Sequence, residues 1–235
     1  MNAPGDIAPD LSTLARLQEA FASTIPHVDP ATPVPWCGDW SVADLVEHLA
    51  QVHHWAAGQA VRREVALVVW SADDSVGGYR RAADEALTTL SATPPDAPAW
   101  TLDLSERAGF WHRRQVHETL VHLWDLRTAG GLPLDQPAAL WADTVDEVVS
   151  VMAPRQVRLG RTTWPARTVA LICDDADATW TLPATDAGSP AVTVRGPAAS
   201  LALLLWGRIG PGDATLHVVG DHEALLDALG RDLTP

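Results

Sequence analysis

The residues best placed to do chemistry stand in the segment WHRRQVHETLVHLWDLR. Read as a helix at about 100° per residue, Glu118 and His122 lie one turn apart on one face. Asp125, two turns on from Glu118, extends that face. His117 is turned by about 140° from His122 and cannot readily share a ligand with it. A carboxylate and an imidazole one turn apart can hold a single divalent ion, with a further ligand supplied by another helix. His48, in DLVEHLA, is the other polar residue set into an apolar helical stripe, beside Leu45 and Leu49. Its ring is expected to point inward. His48, Glu118 and His122 would make a His₂Glu set with an open fourth position, which is the catalytic form of a zinc site and not the structural one. Ordinary readings compete. Glu118 can pair with Arg114 one turn back, and a lone core histidine is more often a hydrogen-bonded residue than a ligand. His27, His53, His54 and His112 read as solvated or structural. His217 and His222 have no partner visible in the sequence.

These side chains need helices to hold them, and the first two thirds of the chain read as helical. LSTLARLQEAFAST spaces Leu11, Leu14, Leu17 and Phe21 at helical intervals. After a Pro-rich loop, Ser41 stands where an N-cap belongs, with Asp44 as its capping partner. From there the chain runs about thirty residues to Trp70 without proline, which predicts one long helix. GGYRRAADEALTTL is a shorter amphipathic helix. A second Pro-rich break precedes a long helix from about Glu106 to Ala129, ended by Gly130 and Gly131. PAALWADTVDEVVSVM closes this half. After Pro154 the pattern changes. RTVALICDD and ATWTLPA predict a hairpin, and AVTVRG predicts a strand, with Pro197 at the first position of the helix AASLALLLWGR. TLHVVG is a further strand, with Asp221 as N-cap of HEALLDALG. The expected organisation is a helical bundle over 1–153 and a small α+β domain over 154–235.

Composition narrows the class of function. The chain has 235 residues, with 30 acidic against 16 basic and a formal charge of −14, which argues against nucleic acid or an anionic membrane as partner. All the basic residues are arginine, so Schiff-base and P-loop lysine chemistry are excluded. The two cysteines, Cys37 and Cys173, are too far apart for a CxxC pair. Cys37 reads as a small buried apolar residue. The opening MNAPGDIAPD has no basic or apolar region of a secretory signal, and VALVVW and LALLLW are far short of a membrane span. The expectation is a soluble, cytoplasmic protein with reduced cysteines.

Three blocks carry a family resemblance. VPWCGDWSVADLVEHLAQVHHWAAG, HETLVHLWDL and VRGPAASLALLLWGR occur in the order found in the mycothiol-dependent maleylpyruvate isomerase family, which belongs to the wider DinB-like bundle proteins. The chain resembles that family over nearly its whole length. The resemblance implies an α+β protein: a DinB-like antiparallel four-helix bundle followed by a small mixed α/β domain of sterol-carrier-protein-like type. It implies zinc held by His48, Glu118 and His122, the same set that helical geometry singles out. It also implies Asp125 as a group orienting a ligand, Arg208 as a contributor to activity, and mycothiol as thiol co-substrate.

The function so implied is a zinc- and thiol-dependent isomerase or S-transferase acting on a small electrophile. Two alternatives stand beside it: a zinc-dependent hydrolase of a small molecule, in which the ion activates water, and a non-catalytic metal-binding regulatory protein. Fold and family do not fix the substrate.

Overall fold

The computed structural model describes residues 11–68, 74–186 and 188–235. The opening ten residues, read above for a secretory signal, and Val69–Trp70 at the end of the expected long helix lie outside that range. The chain divides between Leu134 and Asp135 into two compact units.

The first unit is helical. Its elements are α1 (Leu11–Thr24), α2 (Val42–Ala60), α3 (Ser75–Ala92) and α4 (Gly109–Ala129). α1 packs on α3 and α4, and α2 packs on the same two, so the four helices form a closed ring. Helix α1 has the bounds its leucine spacing predicts, with Leu14, Leu17 and Phe21 fully buried. Helix α2 opens on the expected capping box. The Ser41 side chain accepts from the Asp44 N–H, and the Asp44 carboxylate accepts from the Ser41 N–H at 2.8 Å. Such a cap is worth about 1 kcal/mol. Helix α4 is buried on all sides, from Trp111 through Val116, Leu120 and Leu123 to Leu126.

The expected thirty-residue helix stops at Ala60. Arg62 takes φ 53, and the Arg63 N–H bonds back to the Gly58 carbonyl at 2.8 Å. The chain folds over Gly58 so closely that a Cβ there would stand 2.7 Å from both the Arg63 carbonyl oxygen and Val65. The following residues, rich in β-branched valine, run on without helix through Val68.

The second unit holds a four-stranded sheet in the order β2-β1-β3-β4, with β1 Val169–Cys173, β2 Thr179–Leu182, β3 Val192–Gly196 and β4 His217–Gly220. β1 and β2 form the expected antiparallel hairpin, β1 and β3 run parallel, and β4 is antiparallel to β3. Helices α7 (Ala198–Leu205) and α8 (His222–Leu229) accompany it, and Asp221 caps α8 by accepting from the Glu223 and Ala224 N–H groups. Pro197 is the N-cap of α7, one position earlier than the sequence suggests. Asp175, from the hairpin turn, accepts from the Ala198 N–H at 2.8 Å and so satisfies a donor that proline cannot. The unit begins well before the expected boundary at 153. Helix α5 (Ala138–Glu147) packs on α7 and continues through a π-helical turn, Val148–Met152, into α6 (Ala153–Arg158). The Trp180 indole donates to Asp146 at 3.2 Å. Residues that resemble a last bundle helix by their period therefore belong to the sheet unit. No helix among the described residues is long and apolar enough to cross a membrane.

Candidate metal centre

Helices α2 and α4 bring three donor atoms together. The Glu118 Oε1 lies 3.5 Å from His48 Nε2 and 3.2 Å from His122 Nε2. One donor atom from each of His48, Glu118 and His122 falls within 4.8 Å of the others, a set that can hold a metal ion. Two donors about 2.0–2.1 Å from a tetrahedral zinc stand roughly 3.4 Å apart. The two spacings from Glu118 to the imidazoles match that figure.

Local structure explains the convergence. Glu118 and His122 share the face that the i,i+4 spacing predicts, and His48 sits on α2 between the buried Leu45 and Leu49. Glu118 and His122 are 7% exposed. The His48 side chain keeps 34% of its surface, so the cluster opens to solvent on that side. The His48 ring rests against Trp40 with centroids 4.6 Å apart, and it meets the His122 ring edge-on at 5.1 Å.

A second layer of polar groups holds these ligands. His122 Nδ1 donates to Asp125 Oδ2 at 2.9 Å, which leaves Nε2 as the lone-pair donor facing Glu118. Asp125 is fully buried and lies where the sequence places it, one turn beyond His122. Its Oδ2 also accepts from the Cys37 thiol at 3.8 Å. Cys37 is half-buried and bonded into the site, not the inert apolar residue expected of it. The rival partner for Glu118 is present as well, since the Arg114 guanidinium pairs with Oε2. The oxygen facing the imidazoles and the oxygen paired with the guanidinium are thus different atoms of one carboxylate. Within this set, two carboxylates and one guanidinium leave a net negative charge beside two imidazoles, a field that favours a cation.

Trp40 and Cys37 are parts of the site to which residue spacing does not point. Arg114 was legible at four positions before Glu118, whereas the Trp40 and Cys37 contacts depend on how one loop folds. That loop closes through the Val34 N–H to the Trp40 carbonyl at 2.8 Å, with Gly38 at φ 64. The other histidines stand apart from the donor set. His53 is fully buried. Its Nδ1 donates to Gln115 Oε1 at 2.7 Å and its Nε2 accepts from the Tyr79 hydroxyl at 3.4 Å. Burial pushes its pKa down to about 4. His54 meets Glu85 at 2.6 Å.

Arg208 belongs to the second unit. It follows α7 and Gly207, which takes φ 69. Its guanidinium donates to the Trp206 carbonyl at 2.8 Å and lies 5.9 Å from the Trp206 ring centroid.

Comparison with known proteins accords with this architecture. Among solved structures, the chain is similar to a histidine-to-alanine mutant of the mycothiol-dependent maleylpyruvate isomerase, with 14% identity and a TM-score of 0.65 over 90% of this chain and 92% of that one. It is similar to a second structure, of the mycothiol-dependent maleylpyruvate isomerase, with 15% identity and a TM-score of 0.63 over the same shares. No curated protein sequence matches the chain. The family model described as the mycothiol maleylpyruvate isomerase N-terminal domain matches residues 11–127, and that described as the MDMPI C-terminal domain matches residues 139–227. With both of its units matched in order, the chain belongs to the mycothiol-dependent maleylpyruvate isomerase family.

Proposed function

We propose that this protein is a zinc- and thiol-dependent enzyme, an isomerase or S-transferase that uses mycothiol on a small electrophilic substrate. The observation that carries the reading is the convergence of His48 Nε2, Glu118 Oε1 and His122 Nε2, three donors that leave a tetrahedral shell one short. Membership of a family named for a mycothiol-dependent reaction supports the thiol. When bound, zinc supplies the positive charge that keeps a coordinated thiol deprotonated near neutral pH.

The chain's own residues do the rest. Asp125 holds the His122 Nδ1 proton and fixes the imidazole tautomer. Glu118 presents one oxygen to the site. The thiolate sulfur is the nucleophile; it adds to an electron-poor carbon of a cis double bond, whose π electrons pass into the adjoining carbonyl as an enolate. In an isomerisation, rotation about the resulting single bond and expulsion of the thiol return it unchanged with the trans product. In a transfer, the carbon–sulfur bond is kept and the enolate carbon takes a proton from water. Arg208 is proposed as the group that meets the negative charge of a carboxylate or enolate, for which a planar guanidinium is suited. The partners are then a small molecule and a low-molecular-weight thiol, in a cytoplasmic setting where thiols stay reduced.

Elemental analysis of the purified chain and of His48→Ala, Glu118→Ala and His122→Ala tests the ligand set. About one zinc per chain is expected in the parent, with loss in each variant. Full occupancy in His122→Ala would sink the assignment. Turnover that needs added mycothiol supports the enzyme proposed here. Thiol-independent hydrolysis would replace it with a zinc hydrolase, and metal binding with no turnover at all would favour a regulatory role.

A further inference from the structure

Glu118 turns its two oxygens to different partners. Oε1 faces the two imidazole Nε2 atoms, while Oε2 is paired with the Arg114 guanidinium. Both residues are on α4, one turn apart, and the pair is buried, with Arg114 6% and Glu118 7% exposed. An exposed i,i+4 pair is weak and readily broken. A buried one resists separation, because either charge left alone in the interior is strongly unfavourable. Oε2 is therefore held away from any ion that Oε1 meets. Asp125 is not among the three residues whose donor atoms converge, and its Oδ2 accepts from His122 and Cys37.

We propose that Arg114 is a positioning residue of the metal centre, one that restricts Glu118 to ligation through a single oxygen and so keeps a coordination position open for an incoming thiol. This rests on the zinc reading given above. A carboxylate can offer one oxygen or two. With two, the protein alone would supply four donor atoms and close the shell, which is the form of a structural site. With one, three protein donors remain and the fourth position is free, which is the form of a catalytic site. The guanidinium also draws negative charge from the carboxylate, leaving more of the ion's field for the thiol sulfur. The ion pair that rivals metal binding in the sequence is thus the device that sets the coordination number.

Cobalt(II) in place of zinc reads this directly on the full chain. The parent should bind one cobalt with the intense visible bands of a four-coordinate ion, and added mycothiol should produce a sulfur-to-metal charge-transfer band. In Arg114→Met the freed second oxygen should fill the open position. The visible bands then remain those of a four-coordinate ion, the thiol band is lost, and circular dichroism stays that of the parent. Arg114→Lys, which keeps a charge but not the fork, should recover the thiol band in part. A parent-like thiol response in Arg114→Met would overturn the proposal. Should that variant not fold, X-ray absorption of the zinc-loaded parent decides: one carboxylate oxygen at the metal is expected, and two would overturn it. A parent chain that binds neither metal would bring down the zinc reading itself, an outcome distinct from a parent that binds with both oxygens.

Discussion

Asp125 Oδ2 lies 2.9 Å from His122 Nδ1, one turn further along the same helix, and it is wholly removed from solvent. A buried carboxylate in that position both fixes which imidazole nitrogen carries the proton and strengthens the other as a donor. Replacing it by an amide keeps the shape and removes the charge. Asp125→Asn should weaken zinc binding by about 10–100-fold, since outer ligands of this kind usually carry such a cost. Competition against a calibrated chelator measures it, and an unchanged constant would return Asp125 to a purely packing role.

Arg208 offers a sharper division between ordinary and functional roles. A cation after a helix C-terminus gains roughly 0.3–1 kcal/mol from the helix dipole, and lysine gains it as well. A bidentate grip on a carboxylate or enolate oxygen is not transferable to lysine. Arg208→Lys should therefore lower turnover about tenfold or more, equivalent to about 1.4 kcal/mol at the transition state, with zinc content and melting temperature unchanged. Parent-like steady-state rates would assign Arg208 to the helix end alone.

His53 should make stability depend on pH. Its folded pKa of about 4 lies below the ordinary value of 6.5, because burial penalises the charged ring. Between those values the unfolded chain takes up a proton that the folded chain refuses, so stability rises with pH across the window. The contribution is fully present above pH 6.5 and is lost as pH falls toward 4, amounting to about 3 kcal/mol. Denaturant unfolding of the metal-free chain at a series of pH values should show this slope, and His53→Gln should flatten it. A parent and variant with parallel profiles would contradict the assignment.

Gly58→Ala tests why α2 ends where it does. In an open helix the change would stabilise by up to about 1 kcal/mol. Here the new methyl group would stand 2.7 Å from the Arg63 carbonyl oxygen, which is backbone. Overpacking of this kind costs about 1–3 kcal/mol, so the melting temperature should fall. A rise would mean that the chain after Ala60 yields easily.

The three candidate donors and Asp125 could be read from the sequence because helical periodicity converts spacing into direction. Glu118, His122 and Asp125 needed only the assumption that α4 is helical, and His48 needed only the leucines around it. What spacing could not supply was any contact made by a loop. Trp40 reaches His48 and Cys37 reaches Asp125 because one turn closes between Val34 and Trp40, and no periodicity encodes that closure. The missed ends have a similar cause. Helix α2 was extended too far because valine-rich apolar runs fit helix and extended chain alike, and the close approach over Gly58 is a tertiary fact. Helix α5 has a bundle helix's period but packs on α7, so its period alone does not say to which unit it belongs.

His48 lies on α2, and Glu118 and His122 lie on α4, about seventy residues further along the chain. In polymer terms, an ion bound by all three is a removable cross-link that closes a long loop. It has no comparable partner in the unfolded chain, so its binding is folding free energy. At free metal a thousandfold above the dissociation constant, that linkage adds about 4 kcal/mol to the folded unit, a large part of the 5–15 kcal/mol by which ordinary domains persist. Metal starvation would then act on the lifetime of the molecule as well as on its chemistry. Chains left empty would unfold more often and be degraded sooner, and the amount of this protein in a cell would follow the supply of its ion.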